Sequence, residues 1–82
     1  MYIVYVLRSA KSGRYYVGHT VNFRNRLNRH NKGLVRSTKP YLPWEYVHKE
    51  EFSDKKMAYR REMEIKSYKS GLKFKDLVKL TE

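Results

Sequence analysis

Residues Tyr2 to Leu7 form an unbroken apolar run rich in β-branched and aromatic side chains. A run with no polar position to turn toward water predicts a strand covered on both faces. Lys11-Ser12-Gly13 is a turn signal. Arg14 to His19 then reads as a second strand, so the two pair as an antiparallel hairpin. Tyr15 and Tyr16 point to opposite sides of it. Gly18 sits inside this strand, where a glycine marks a bend or the close approach of another group. After it the period changes. Asn22 is a good N-cap for a helix running to about Lys32, and Gly33 suits the position past its end. At ~100° per residue, Phe23, Leu27, His30 and Leu34 share one face, with Arg26 at its edge.

Leu34 to Pro43 is a basic loop holding Pro40 and Pro43. Trp44 to Phe52 reads as a third strand, and His48, Glu50 and Glu51 make it an edge strand. Ser53 or Asp54 caps a second helix predicted to reach about Ser70, with Met57, Ala58, Ile65, Tyr68 and Leu72 gathered on one side and Arg61 near the middle of that stripe. Gly71 ends it. Phe74 to Leu80 reads as a short third helix. The order is β-β-α-β-α-α, a mixed α/β domain of the α+β type with a small, mainly antiparallel three-stranded sheet packed against helices. No repeat, linker or low-complexity stretch divides it. Residues 1–82 are read as one domain, with a core of about 1–72 and a short C-terminal helix over 73–82.

Charge adds a partner to this picture. Lys and Arg number 19 against 8 Asp and Glu, a net +11 over 82 residues. A field of that sign draws in polyanions, and nucleic acid is bound mainly through phosphate neutralisation. The apolar content of 40% excludes a disordered basic tail. Without cysteine there is no disulfide, no thiol catalysis and no cysteine zinc site. The apolar start is too short to span a membrane and lacks the features of a signal peptide. A cytoplasmic location without membrane attachment is expected.

Several side chains could carry chemistry. Arg26 and His30 are four apart and project from the same side of their helix. His30 reads either as a satisfied core histidine or as a working imidazole. On the second helix, Glu62 and Glu64 lie at opposite edges of the buried face. Either could sit in an ion-pair lattice with Arg61 or hold a metal, and periodicity does not choose between them. Tyr5 is central in the first strand. A phenol near Arg or Lys cations loses its proton more easily and can act as a base.

These positions together resemble the GIY-YIG nuclease domains. Ile3-Val4-Tyr5 falls where the first motif stands and Tyr16-Val17-Gly18 where the second stands. Asn22, Arg26, Leu27 and His30 follow on a helix, and Glu62, Ile65 and Lys66 on a later one. The resemblance covers about residues 1 to 72 and is strongest to small bacterial stand-alone members. It implies that Tyr5 and Tyr16 are the motif tyrosines, that Gly18 keeps the strand end open beside the substrate, and that Arg26 contacts the scissile phosphate. His30 takes a position held by tyrosine or histidine in relatives. Glu62, and so not Glu64, is implied as the single metal-binding carboxylate. Ile3 departs from the glycine of the first motif. His19 stands where several relatives carry lysine or arginine.

The resemblance implies a metal-dependent endonuclease that hydrolyses phosphodiester bonds, of DNA in preference to RNA. Glu62 would hold one Mg²⁺ or Mn²⁺, a hard cation that keeps much of its water. Tyr5, Tyr16, Arg26 and His30 would complete the catalytic set, with proton transfer through a tyrosine aided by His30 or His19. Gly18, His19, Asn22, Arg24 and Arg29 would bind substrate, and a lowered tyrosine pKa would be needed for base action. The alternative is a nucleic-acid binding module with little or no catalysis, working in a larger complex whose protein partner supplies targeting.

Overall fold

The computed structural model describes residues 1–68 and 71–79. Its elements are β1 (Tyr2–Ser9), β2 (Tyr15–Thr20), α1 (Phe23–Asn31), β3 (Trp44–Phe52), α2 (Lys55–Ser67) and α3 (Leu72–Lys79), the order read from the sequence. Both strand pairs are antiparallel and the sheet runs β2-β1-β3, so β1 is central and β3 is an edge.

β1 is central because both of its faces are apolar. Val4 and Val6 enter one cluster with Val17, Ala58, Ile65, Phe74 and Val78. Tyr5 and Leu7 enter another with Trp44, closed by Tyr16, Phe23, Leu27, Tyr41 and Leu42. The period of two in a strand makes this division. The sheet is therefore a middle layer, with α2 and α3 on one side and α1 with the loop after it on the other. In register, Tyr5 stands opposite Gly18 and Val4 opposite His19. Neighbours on β2 thus serve opposite faces.

Local chemistry explains most boundaries, and several differ from expectation. β1 runs on through Arg8 and Ser9, and β2 is shifted one residue to Tyr15–Thr20. Asn22 caps α1, its Oδ1 accepting the Asn25 N–H at 3.0 Å. The helix stops at Asn31 and the chain turns at Gly33, where φ is +75°. Leu34, expected on the buried stripe, lies past that turn and is 57% exposed. The basic loop contains a 3₁₀ turn at Lys39–Tyr41. Asp54, not Ser53, caps α2 by accepting the Lys56 N–H at 2.8 Å.

The buried line of α2 is Ala58, Glu62 and Ile65, spaced by four and three. Met57 lies one position ahead of that line, about 100° around the helix, and is exposed. Leu72, also expected to be buried, opens α3 and is exposed. α2 ends at Ser67, and its predicted extension to Ser70 falls partly outside the described residues. α3 begins at Leu72, not Phe74, and Leu80 lies outside the described residues. No described helix is long and apolar enough to cross a membrane.

Arg61 is at the edge of α2, not in its buried centre, and clips the helix to β3. Its Nε and Nη2 donate to the two Glu50 oxygens at 2.9 and 3.0 Å. Its Nη1 donates to Glu64 Oε1 at 3.1 Å, and the Tyr68 hydroxyl donates to Glu64 Oε2 at 3.0 Å. His48 Nε2 lies 2.6 Å from Glu50 Oε2. Burial works against the charge on Glu50, but the hydrogen bonds from Arg61 and His48 outweigh it and hold the carboxyl below its ordinary range. A depressed carboxyl contributes stability above its unfolded pKa and loses it as pH falls through the folded value. Replacing Arg61 by Met should therefore lower the unfolding free energy by about 1–2 kcal/mol at neutral pH. The difference from wild type should shrink on acidification, read by urea melts across the carboxylate range.

Candidate functional site

On the α1 side of the sheet, one continuous chain of hydrogen bonds joins α1, β1 and the basic loop. Arg26 Nε donates to Tyr5 Oη at 3.3 Å. Tyr5 Oη lies 3.3 Å from His30 Nε2. His30 Nδ1 lies 2.8 Å from Thr38 Oγ1, and the Thr38 hydroxyl donates to the Val35 carbonyl at 3.2 Å. The directions follow from proton counting. Thr38 has a single hydroxyl proton, committed to Val35, so its oxygen accepts from His30 Nδ1–H. The other imidazole nitrogen then carries a lone pair and accepts from the Tyr5 hydroxyl. Tyr5 Oη in turn accepts from Arg26.

Burial sets the protonation states. His30 is fully buried. Desolvation, then the nearby Arg26 charge, lower its pKa from the ordinary 6.5 to about 4. It is a neutral imidazole at pH 7. His30 is a satisfied core histidine, and its Nε2 lies against the phenol of Tyr5. Tyr5 is 1% exposed. Burial pushes its phenol up to about 12, although the Arg26 hydrogen bond pulls the other way. The expectation that nearby cations lower this tyrosine is thus corrected, since desolvation of a phenolate outweighs one guanidinium. Tyr16, half-buried, packs its ring edge against His30 at 4.8 Å between centroids and interacts with Arg26.

Gly18 has a specific duty here. A Cβ at this position would lie 2.7 Å from Tyr5 Oη and 3.1 Å from a Tyr16 ring carbon. The absent side chain makes room for the Tyr5 phenol, so the glycine acts first on the site's own packing.

Glu62 and His19 lie on the other face of the sheet, with α2. The Glu62 residue is 7% exposed. Its Oε1 is bonded by His19 Nδ1, and its Oε2 takes Lys66 Nζ, one helical turn on, at 2.6 Å. Burial opposes its ionisation, but these two hydrogen bonds prevail and hold it below the ordinary carboxylate range. Of the two carboxylates left open by periodicity, Glu64 is the exposed one tied into the Arg61 lattice, and Glu62 is the buried one kept apart from it. Gly18, opposite Tyr5, and His19, bonded to Glu62, are adjacent on β2, and the Glu62 charge is felt at Tyr5.

Asn22 spends its side-chain oxygen on the α1 cap, while Arg24 and Arg29 stand on the exposed side of α1. Among the described residues, no group of three His, Cys, Asp or Glu converges as a metal cage. Thr38 and Lys66 belong to the site's geometry but received no role from sequence reasoning. Lys66 has a visible signal in its i,i+4 spacing from Glu62. Thr38 has none, because it sits in a loop without periodicity.

A small antiparallel sheet between helices carries two strand tyrosines, a helix arginine and histidine, and one buried helix glutamate, the layout of a compact α+β domain. The family model of the GIY-YIG catalytic domain matches residues 1–74, and the chain belongs to this family. A UPF0213 protein of Staphylococcus haemolyticus is 38% identical over 73 residues, 88% of each chain. A UPF0213 protein of the archaeon Natronomonas pharaonis is 42% identical over 65 residues, 78% of this chain and 75% of its own. The solution structure of a UPF0213 protein from Bacillus halodurans superposes with a TM-score of 0.61 at 33% identity, covering 98% of this chain and 85% of that one.

Two outcomes check the hydrogen-bond chain. In ¹⁵N NMR, His30 should show the Nδ1–H tautomer and titrate near 4, and Thr38→Val should shift the tautomer balance while Thr38→Ser keeps it. The His30 pKa is lower folded than unfolded, so its neutral form gives stability that is complete above about 6.5 and lost as pH falls toward about 4. Gly18→Ala should cost about 1–3 kcal/mol by overpacking and break the Tyr5–His30 bond in the same spectra.

Proposed function

We propose that this chain is a metal-dependent endonuclease acting on nucleic acid, DNA in preference to RNA. The observation that supports it most is the ordered chain from Arg26 through Tyr5 to neutral His30, within electrostatic reach of the buried carboxylate of Glu62 on the other face of the sheet.

Phosphodiester hydrolysis requires a clamp on the phosphate, a path for the proton of the attacking water, and help for the departing oxygen. Arg26 meets the first need. Its Nε is committed to Tyr5, which fixes the plane of the guanidinium and leaves the remaining nitrogens to face the phosphate. The second need falls to Tyr5 and His30. A phenol held near 12 is not a resting phenolate at neutral pH. The transfer is therefore concerted: Tyr5 receives a proton from water on one oxygen lone pair as its own proton passes to His30 Nε2. Thr38 holds His30 in the tautomer that can accept it.

The donor set fits a hard cation that keeps most of its water, since Glu62 is a buried, ionised carboxylate and, among the described residues, no cage of three such ligands forms. Glu62 would hold Mg²⁺ or Mn²⁺, which supplies Lewis-acid stabilisation of the leaving oxygen. His19 must release Glu62 for this. The bond between them favours the second reading, a binding module in which Glu62 stays bonded to His19 and Lys66.

A nicking assay with Mn²⁺ on supercoiled, branched and single-stranded DNA separates the two. The nuclease reading expects cleavage that Glu62→Gln abolishes with binding intact, and that Arg26→Ala slows by about 100- to 1,000-fold. Cleavage unchanged in Glu62→Gln, or absent from wild type on every substrate, sinks it.

A further inference from the structure

Beside Glu62, a groove of about 710 Å³ runs along the N-terminal half of α2, lined by His19, Asp54, Lys55, Lys56, Tyr59 and Arg60. Its size is within the ~300–1,000 Å³ of small-molecule sites. The helix terminus itself is not what makes it a site, because Asp54 already caps it.

Tyr59 is the informative residue. It is 53% exposed, while Ala58 and Ile65 supply the burial of α2. Its ring is held edge-on to His19 at 88°, with centroids 6.4 Å apart. It stands three residues before Glu62, so the two share a side of the helix. An aromatic ring that contributes little to the core thus stands beside Lys55, Lys56 and Arg60, next to the candidate metal-binding carboxylate. Proteins that hold single strands combine cationic grooves with rings on which bases stack. The bases of an intact duplex stack on each other and offer no free face. An apolar peptide is a poor occupant, since three cations border the ring.

We propose that this groove is a subsite for an unpaired nucleotide, with its base stacked on Tyr59 and its phosphate among Lys55, Lys56 and Arg60. Its position next to the bond to be cut rests on the nuclease reading, while the binding itself does not. The consequence is a preference for single-stranded or frayed segments, achieved by stacking and without reading base edges.

The test is fluorescence anisotropy in a chelating buffer, so that no cleavage intervenes. The probes are an oligothymidylate of about 12 nucleotides, within the reach of one small domain, and a blunt duplex of equal length. Tyr59→Ala should weaken single-strand binding about five- to hundredfold, the range expected for losing one base stack, and leave duplex binding unchanged. Tyr59→Phe, which keeps the ring, should bind like wild type. In wild-type protein the oligothymidylate should shift the NMR signals of Tyr59, His19 and Lys56, which decides the matter even if the alanine variant folds poorly. Equal loss on both probes, no loss, a Phe variant as weak as the Ala variant, or unmoved signals would each overturn the subsite. Should wild type fail to cut with Mn²⁺ while Tyr59→Ala selectively loses the single strand, the nuclease reading falls and the subsite stands. Should wild type cut while Tyr59→Ala binds both probes normally, the subsite falls and the nuclease reading stands.

Discussion

The bond between the Tyr5 phenol and His30 is the constraint on which the rest of the site depends. It joins the central strand to α1 in the interior, where an unpaired hydroxyl or imidazole would cost about 1–3 kcal/mol. Each partner is usable only because of others. Gly18 leaves the space that the phenol fills. Thr38 turns the imidazole so that its lone pair meets the phenol. Arg26 completes the phenol's oxygen and is oriented in return. Three parts of the chain, β1, α1 and the basic loop, are locked together by one line of polar atoms, and no buried side-chain polar atom among the described residues lacks a partner.

The sheet divides labour between its faces. Proton-handling groups lie on the α1 side in surroundings that keep His30 neutral and Tyr5 protonated. The carboxylate lies on the α2 side, where His19 and Lys66 keep Glu62 ionised. Desolvation favours the neutral form of every one of these groups. Only Glu62 has enough donors to overcome it. That contrast places a neutral phenol–imidazole pair and an anion within electrostatic reach of one another on opposite faces of the sheet. Arg61 pairs with Glu50 and Glu64 instead, away from Glu62.

The positive charge separates along the same lines. Most of it is spread over exposed faces and suits a polymer held by its phosphates. Arg26 is half-buried and directed by a phenol. Lys66 is tied to Glu62. Lys55, Lys56 and Arg60 flank an exposed aromatic ring. A single net charge thus contains a general attraction, a candidate phosphate clamp and a candidate stacking groove.

The element order was legible in the chain because each signal is local. Unbroken apolar residues marked the central strand, Asn22 and the Ser53-Asp54 pair marked helix starts, and Gly33 marked a helix end. Errors fell where a periodic stripe was carried past a helix end, as at Leu34 and Leu72, or given one residue too many, as at Met57. The candidate site positions were legible only as a spaced set resembling a family. Their physical states were not. Whether Glu62 or Arg61 faces the sheet depends on a fraction of a helical turn, settled by packing against β1 and β2. The Tyr5 pKa turns on how much water the fold removes compared with the help one arginine supplies. The role of Thr38 arises from a loop folding back on α1, which no period along the sequence encodes. The sequence by itself determined the elements and the residue types brought to the site. Tertiary structure decided which face each serves, which proton each carries, and that the glycine of β2 exists to make room for a tyrosine of β1.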